Sequence, residues 1–202
     1  MSLRRAALLA IAFATLAALV GAGLLTRFDQ WGVDHLMPGA DFRAGEPTFA
    51  ESLVPLLGAH WDTWLGGVAD IVTLPASFLI SVAIVAWRSR VLALALIAAV
   101  AVEAVCKELI ERPGLYDDAF HIAALDSSFP SGHTLRAVIV AAAVWPALRG
   151  WAIAWAVASI VLLQLAGWHT PTDILGGVLL GLLALLGARG AGALRARRLA
   201  GA

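Results

Sequence analysis

The sequence SFPSGHTLR at residues 128–136, continued by the apolar run AVIVAAAVWPAL at 137–148, predicts a capped helix over 132–148. Ser131 is a natural N-cap residue, and Gly132 lets backbone amides approach a ligand with no side chain in the way. The positive end of the helix dipole also favours an anion at this point. This stretch therefore predicts an apolar helix whose N-terminus forms a socket for an anion.

A second helix start follows at residues 169–173, in the sequence HTPTD. Thr170 can cap this helix, Pro171 suits its first position, and Asp173 fills the capping-box position. Because Asp173 lies four residues after His169, we expect the two side chains to hydrogen-bond. A carboxylate on one imidazole nitrogen leaves the other free as a nucleophile, while His133 can protonate a leaving oxygen. The two segments together predict phosphoryl transfer through a phosphohistidine.

The two helix starts resemble the second and third signature motifs of the type 2 phosphatidic acid phosphatase family, membrane enzymes that remove phosphate from lipids without a metal. PSGH matches at residues 130–133, and the pattern histidine, three residues, aspartate matches at His169 and Asp173. The family's first motif is a lysine, six residues and Arg-Pro. Here only four residues lie between Lys107 and the pair Arg112 and Pro113. The resemblance covers roughly residues 107–177.

The resemblance implies a role for each matching residue. His169 would attack phosphorus, Asp173 would orient it, and His133 would protonate the leaving oxygen and then activate water. No cofactor and no metal would be required. The phosphate oxygens would be held by Lys107, Arg112, the backbone near Ser131 and Gly132, and Arg136.

Arg136 enters this set because an arginine of the third motif is missing. The family has Ser-Arg shortly before the histidine, whereas this chain has Leu162 and Leu163. Arg136 lies one turn after His133, and helix side chains lean toward the N-terminus. Its guanidinium can therefore reach the mouth of the site, which is the opening beside His133 at the start of this helix. The alternative is a buried ion pair with Glu103 or Glu108.

Lys107 is the single lysine of the chain and lies near the end of a predicted apolar helix. An ionisable residue within a membrane is costly unless it has a partner or a function. Glu103 and Glu111, four residues before and after it, could supply a structural partner. A phosphate contact is the other interpretation, and the one we favour.

The composition indicates a membrane protein. The 202 residues are 61% hydrophobic and 14% charged, with a mean hydropathy of +0.87, whereas soluble domains carry about 25% charged residues. Six segments come near the length of about 20 residues that a spanning helix needs. They cover residues 6–26, 66–87, 91–111, 132–148, 151–167 and 172–188. We therefore predict one all-α domain over residues 1–202, a polytopic bundle of six transmembrane helices.

The first exterior loop, residues 27–63, is predicted to contain short interfacial helices, because aromatic side chains suit the headgroup layer. The aromatic residues of this region are Trp31, Phe42, Phe49, Trp61 and Trp64. An N-terminal signal peptide is the alternative for the first apolar run, but its length favours an uncleaved span.

Arginines are distributed unequally between the two sides of the six-span topology. Arg27, Arg43 and Arg112 fall on one side, and Arg4, Arg5, Arg88, Arg90, Arg149, Arg189, Arg195, Arg197 and Arg198 fall on the other. This predicts a multi-pass protein of the cell membrane with both termini in the cytoplasm and the active site facing the exterior. A net charge of zero gives no indication of nucleic-acid binding.

The predicted substrate is a lipid phosphate, namely a polyprenyl phosphate or diphosphate, phosphatidic acid or phosphatidylglycerol phosphate. Two alternatives stay open: a lipid-phosphate-binding protein without catalysis, and a phosphotransferase that passes the phosphate to another acceptor. The loop before PSGH also carries acidic residues and a histidine, but in no spacing typical of a metal site. These are Asp117, Asp118, His121 and Asp126. The sequence indicates no oligomeric state.

Overall fold

The computed structural model describes residues 3–38 and 64–200. Its helices are α1 (Leu3–Gly21), α2 (Thr26–Leu36), α3 (Trp64–Thr73), α4 (Phe78–Arg88), α5 (Arg90–Leu109), α6 (Gly132–Leu165) and α7 (Pro171–Ala200). Two-residue strands β1 (Tyr116–Asp117) and β2 (Phe120–His121) pair antiparallel in a small hairpin. Single 3-10 turns lie at Leu74–Ala76 and Ala123–Leu125. The all-α prediction is confirmed, with this hairpin as a minor addition.

Within the described residues, three helical stretches are long and apolar enough to cross a membrane: Arg4–Gly21, Trp64–Arg88 and Pro171–Gly192. Two shorter apolar helices cover Gly132–Val144 and Gly150–Leu165. The predicted third span forms α5, whose final turns carry Glu103, Lys107 and Glu108. The apolar helices indicate membrane association, but the count of six spans is not confirmed.

Large apolar side chains cover the outside of the bundle. Examples are Leu8 and Ile11 on α1, Leu94 and Val105 on α5, and Leu175 on α7. A contiguous apolar exterior of this kind is unfavourable in water and favourable in hydrocarbon. The exterior therefore supports the same conclusion as the composition.

Helix α6 turns back on itself at Leu148, whose backbone angles are non-helical (φ −133°, ψ 40°). A straight helix of its 34 residues would be about 50 Å long. Instead, Ala141 packs against Ala152 and Ala156, so the two arms lie side by side. The first arm begins at the PSGH turn. Because the second arm runs back beside it, the second arm ends on the same side of the bundle, next to the mouth of the site.

The main core lies where α4, α5, α6 and α7 meet. Its largest members are Val85, Leu96, Leu135, Ile139 and Leu180. Small residues let the α6 and α7 backbones approach closely, since a Cβ atom on Gly181 would lie 3.1 Å from the backbone oxygen of Leu135. Gly177 makes a similar close approach to Ser131. Helix packing of the small-xxx-small type therefore aligns the start of α6 with the start of α7.

The loop before PSGH packs onto α2. Val33 and Met37 form a small core with Leu115, Ile122 and Leu125. Helix α2 occupies the first part of the predicted exterior loop. The interfacial location of that loop stays a prediction, and its Phe42, Phe49 and Trp61 lie outside the described residues.

Candidate active site

The start of α6 has the cap that the sequence predicts. The hydroxyl of Ser131 accepts a hydrogen bond from the backbone amide of Thr134 at 3.2 Å. The backbone amide of Ser131 itself donates to the backbone oxygen of Asp173 at 2.9 Å. The two predicted motifs are thereby bonded to each other through their backbones.

The start of α7 forms a capping box. The backbone amide of Thr170 donates to Oδ2 of Asp173 at 2.9 Å, and the backbone amide of Asp173 donates to the Thr170 hydroxyl at 3.3 Å. Pro171 occupies the first helical position, where its missing amide hydrogen costs nothing. Asp173 is fully buried, so its place at the mouth is fixed by local hydrogen bonds.

His133 and His169 come together at this mouth. Their ring centroids are 6.5 Å apart, and the His133 ring also lies 6.1 Å from the ring of Trp168. Nε2 of His133 and Nδ1 of His169 are buried and find no hydrogen-bond partner among the described residues. Buried polar atoms are almost always satisfied, so the unpaired Nε2 of His133, beside the ring of His169, indicates a functional site.

His169 and Asp173 face each other, as predicted, but at a distance slightly longer than an ordinary hydrogen bond. Nδ1 of His169 lies 3.6 Å from Oδ2 of Asp173, which is an electrostatic contact too long for a hydrogen bond. The physical reason is competition, because Oδ2 already accepts from the Ser128 hydroxyl at 2.6 Å and from the Thr170 amide. The histidine and the carboxylate are adjacent, as expected, but the carboxylate is committed elsewhere.

Burial of His169 favours the neutral form of its imidazole. Burial lowers the pKa of His169, and the positive charge of Lys107 acts in the same direction, while Asp173 and Glu103 oppose them. A neutral imidazole retains the lone pair that a nucleophile needs. This electrostatic balance also indicates that Lys107 and Glu103 lie near the mouth.

Arg112 reaches the site but binds carboxylates there. One terminal nitrogen donates to Oδ2 of Asp29 at 2.9 Å and to the Thr170 hydroxyl at 2.9 Å. The other donates to Oδ1 of Asp173. The guanidinium was expected to hold phosphate oxygens, whereas its terminal nitrogens are occupied by a buried ion-pair network.

Asp29 on α2 completes this network. Its oxygens also accept from the backbone amide of Thr172 at 3.1 Å and from the Thr172 hydroxyl at 2.6 Å. Burial raises the pKa of Asp29, against the hydrogen bond from Thr172 and the charge of Arg112. Helix α2 is thus fastened to the first turn of α7.

Lys107 and Arg136 meet at a single carboxylate. Nζ of Lys107 lies 3.0 Å from Oε1 of Glu103, and a terminal nitrogen of Arg136 lies 3.2 Å from Oε2. Nε of Arg136 donates to the backbone oxygen of Ala76 at 2.6 Å. The ion pair considered as the alternative for Arg136 is therefore present, with Glu103 as its partner and Lys107 sharing it.

The loop before PSGH carries the acidic residues and the histidine that could suggest a metal site. His121 contacts Asp126 at 2.9 Å, and the hairpin around Asp117 and Asp118 is exposed. Among the residues that the structure describes, no group of three or more histidine, cysteine or acidic side chains could hold a metal ion.

Sequence reasoning missed two residues of the site. Ser128 lies in the opening stretch of sequence but received no role, and its short distance to the PSGH turn was the available signal. Asp29 lies 83 positions before its partner Arg112, and nothing in its local sequence distinguishes it from a solvated aspartate. Glu103 was considered only as an ion-pair partner.

Comparison with known proteins identifies the family of this chain. No curated protein and no solved structure matches the chain. The sequence profile of the PAP2 superfamily matches residues 88–192, which is more than half of the 202 residues and includes the cluster around Lys107, both histidines and Asp173. The chain therefore belongs to the PAP2 superfamily.

Proposed function

We propose that this protein hydrolyses the phosphate ester or diphosphate of a membrane lipid through a phosphohistidine intermediate. The observation that carries the proposal is the pair of buried histidines with unpaired nitrogens, whose rings are 6.5 Å apart. A phosphorus atom about 3–3.5 Å from its nucleophile, with its leaving oxygen within hydrogen-bond reach of the second ring, fits a separation of this size.

In the first step, an imidazole nitrogen of His169 forms a bond to phosphorus as the bond from phosphorus to the lipid oxygen breaks. His133 gives its proton to that oxygen, and the lipid alcohol, or the lipid monophosphate if the substrate is a diphosphate, leaves. In the second step, His133 takes a proton from water, whose oxygen attacks phosphorus. The bond to His169 breaks, and phosphate is released.

The phosphoryl oxygens need positive charge and hydrogen-bond donors during both steps. We assign this role to Lys107, Arg136 and the backbone amides at the start of α6, near Ser131 and Gly132. Arg112 instead acts as a positioning residue, because its terminal nitrogens bind Asp29 and Asp173. Asp173 orients His169 by its charge at 3.6 Å and by holding the first turn of α7.

The apolar exterior and the family support a lipid as the substrate. Polyprenyl phosphates and diphosphates, phosphatidic acid and phosphatidylglycerol phosphate all carry a phosphoryl group at the depth of a helix end. The arginine asymmetry of the sequence supports a cell-membrane protein with cytoplasmic termini and a mouth that opens on the exterior side.

A panel of these lipids, incubated with the purified protein in detergent, tests the proposal. We expect free phosphate from at least one lipid, with no loss of activity after chelation of divalent metals and no activity in His169→Ala. Transfer of phosphate to an added lipid or glycan acceptor without release would instead identify a phosphotransferase. Saturable binding without any turnover would identify a lipid-phosphate-binding protein.

A further inference from the structure

A carboxylate of the chain itself lies beside the anion socket predicted at the start of α6. A Cβ atom built on Gly132 would collide with the carboxylate of Glu103. That carboxylate therefore lies against the first residue of α6, beneath the capped helix N-terminus.

The cations assigned to phosphate are bound to this same carboxylate. Lys107 lies 3.0 Å from one oxygen of Glu103, and Arg136 lies 3.2 Å from the other. A carboxylate and a phosphoryl group present similar pairs of oxygens to such cations. Glu103 therefore holds the two cations, Lys107 and Arg136, that the proposed function gives to the substrate, and it lies beside Gly132.

Burial explains why an internal anion is needed. The side chains of Glu103 and Arg136 are each 8% exposed, and a buried guanidinium without a partner is strongly unfavourable. Arg136 is also fixed by its bond to the backbone oxygen of Ala76, whereas Lys107 is 36% exposed and can move. An entering phosphoryl group must therefore displace the carboxylate or share the two cations with it.

We propose that Glu103 is a resident anion of the phosphate site, which competes with the phosphoryl group and keeps the affinity for free phosphate low. The proposal rests on the proposed function, in which phosphate is the product. Two cations and a helix N-terminus would otherwise retain a dianion, and a carboxylate that returns to them promotes its release. Glu103 is thus a residue that sets affinity rather than a catalytic residue.

The test compares Glu103→Gln with Glu103→Asp and with a control, Glu108→Gln. The glutamine keeps the size of the side chain and an oxygen that can accept from Arg136, but it removes the charge. The aspartate keeps the charge and withdraws it from Gly132 by one methylene. Glu108 is an exposed residue of the same helix with no role in the socket.

Inhibition of lipid hydrolysis by inorganic phosphate is the first measurement. We expect the inhibition constant to fall on the order of tenfold or more in Glu103→Gln, because a like charge at contact distance is removed. Glu103→Asp should show a smaller decrease, and Glu108→Gln should match the wild type. The increase in Tm that phosphate causes should follow the same order, since a ligand that binds the folded state stabilises it.

The Tm measurement requires no turnover, so it separates this proposal from the proposed function. Absence of hydrolysis, with the expected order of phosphate-induced Tm shifts, would reject the enzyme but keep the resident anion. Unchanged or weaker phosphate binding in both Glu103 variants would overturn the resident anion. If Glu103→Gln does not fold, the aspartate variant decides, and its failure to bind phosphate more tightly than the wild type rejects the proposal.

Discussion

The carboxylate of Asp173 receives more donors than a capping residue requires. One oxygen accepts from Ser128 and from the Thr170 amide, and the other accepts from Arg112. Capping alone would use one of these contacts. The additional donors hold the charge of Asp173 in one place beside His169, which is what preorganised electrostatic stabilisation requires.

The two histidines should respond differently to removal. His169→Ala should lower phosphate release on the order of 10⁴-fold or more, as expected when a nucleophile is lost. His133→Ala should slow turnover severely, because it removes both the acid of the first step and the base that activates water in the second; phosphoenzyme that still forms should persist. Protein denatured in alkaline detergent after incubation with ³²P-labelled lipid distinguishes them, because a phosphohistidine survives alkali but not acid. Near-normal turnover in His169→Ala would contradict the mechanism.

The buried site should hold the His169 imidazole neutral at pH 7. Burial lowers the pKa of His169, so its protonation midpoint should fall below the ordinary value of about 6.5. Nuclear magnetic resonance titration of the imidazole signals in detergent measures this midpoint, with His169→Ala to assign the signal. A midpoint at or above 6.5 would show that Asp173 outweighs burial.

Arg136 has both a structural partner and a proposed phosphate contact, and a paired substitution separates the two. Arg136→Met should lower the free energy of unfolding by about 1–3 kcal/mol, because the buried carboxylate of Glu103 loses one of its two cations and keeps only the partly exposed Lys107. It should also slow turnover on the order of a hundredfold. Adding Glu103→Gln should restore much of the stability but not the turnover. Recovery of both would mean that Arg136 acts only through its ion pair.

At the scale of elements, α2 is fastened to α7 by a few buried contacts. Asp29 bonds Arg112 and two atoms of Thr172, while Gly32 permits close contact, since a Cβ atom there would lie 2.7 Å from the Pro171 ring. Helix α7, whose first turn carries Asp173, is therefore held in place partly by α2, a helix that contains none of the family's motifs.

Asp29→Ala should destabilise the protein by about 3–5 kcal/mol, because it leaves buried donors of Arg112 and Thr172 without an acceptor. Asp34→Ala, on the same helix, is the matched control. Asp34 is exposed, and its substitution should change the free energy of unfolding by less than about 0.5 kcal/mol. Denaturant unfolding in detergent measures both. Equal effects of the two substitutions would contradict the conclusion that Asp29 fastens α2 to α7.

Local chemistry explains which features the sequence could predict. The caps at Ser131 and Thr170 depend on residues within three or four positions, so the local sequence was sufficient to predict them. The approach of Arg112 to Asp29 joins residues 83 positions apart and depends on how α2 packs. The four-residue spacing correctly predicted that His169 and Asp173 are adjacent. It could not show that Ser128, Thr170 and Arg112 donate to the carboxylate of Asp173.

At the scale of the whole molecule, the family match begins at residue 88, yet earlier helices cover the site. Leu16 and Val20 on α1 pack against Phe129, next to the PSGH turn, and the rings of Phe13 and Phe129 stack at 6.0 Å. Apolar contact of this kind excludes water from the back of the mouth. Helices outside the matched region thus take part in building it.

The reversal of α6 assigns the two ends of the bundle. Its first arm begins at the candidate site, and Gly150 lies 18 residues further, about 27 Å away along a helix. Ala119, in the turn of the hairpin, belongs to the loop that precedes PSGH and lies on the same side of the bundle as the mouth. If the arginine asymmetry sets the orientation, Ala119 is outside the cell and Gly150 is inside.

Cysteine labelling in intact cells tests this orientation, with Cys106→Ala as the background because Cys106 is the single cysteine. Ala119 suits the reporter better than its neighbour Asp118, whose positive φ of 50° disfavours most side chains. Ala119→Cys should react with an impermeant thiol reagent from outside. Gly150→Cys, where an added side chain meets no atom within 4 Å, should react only after permeabilisation. The opposite pattern would turn the mouth toward the cytoplasm, and the proposed substrate would then be a lipid phosphate of the inner leaflet.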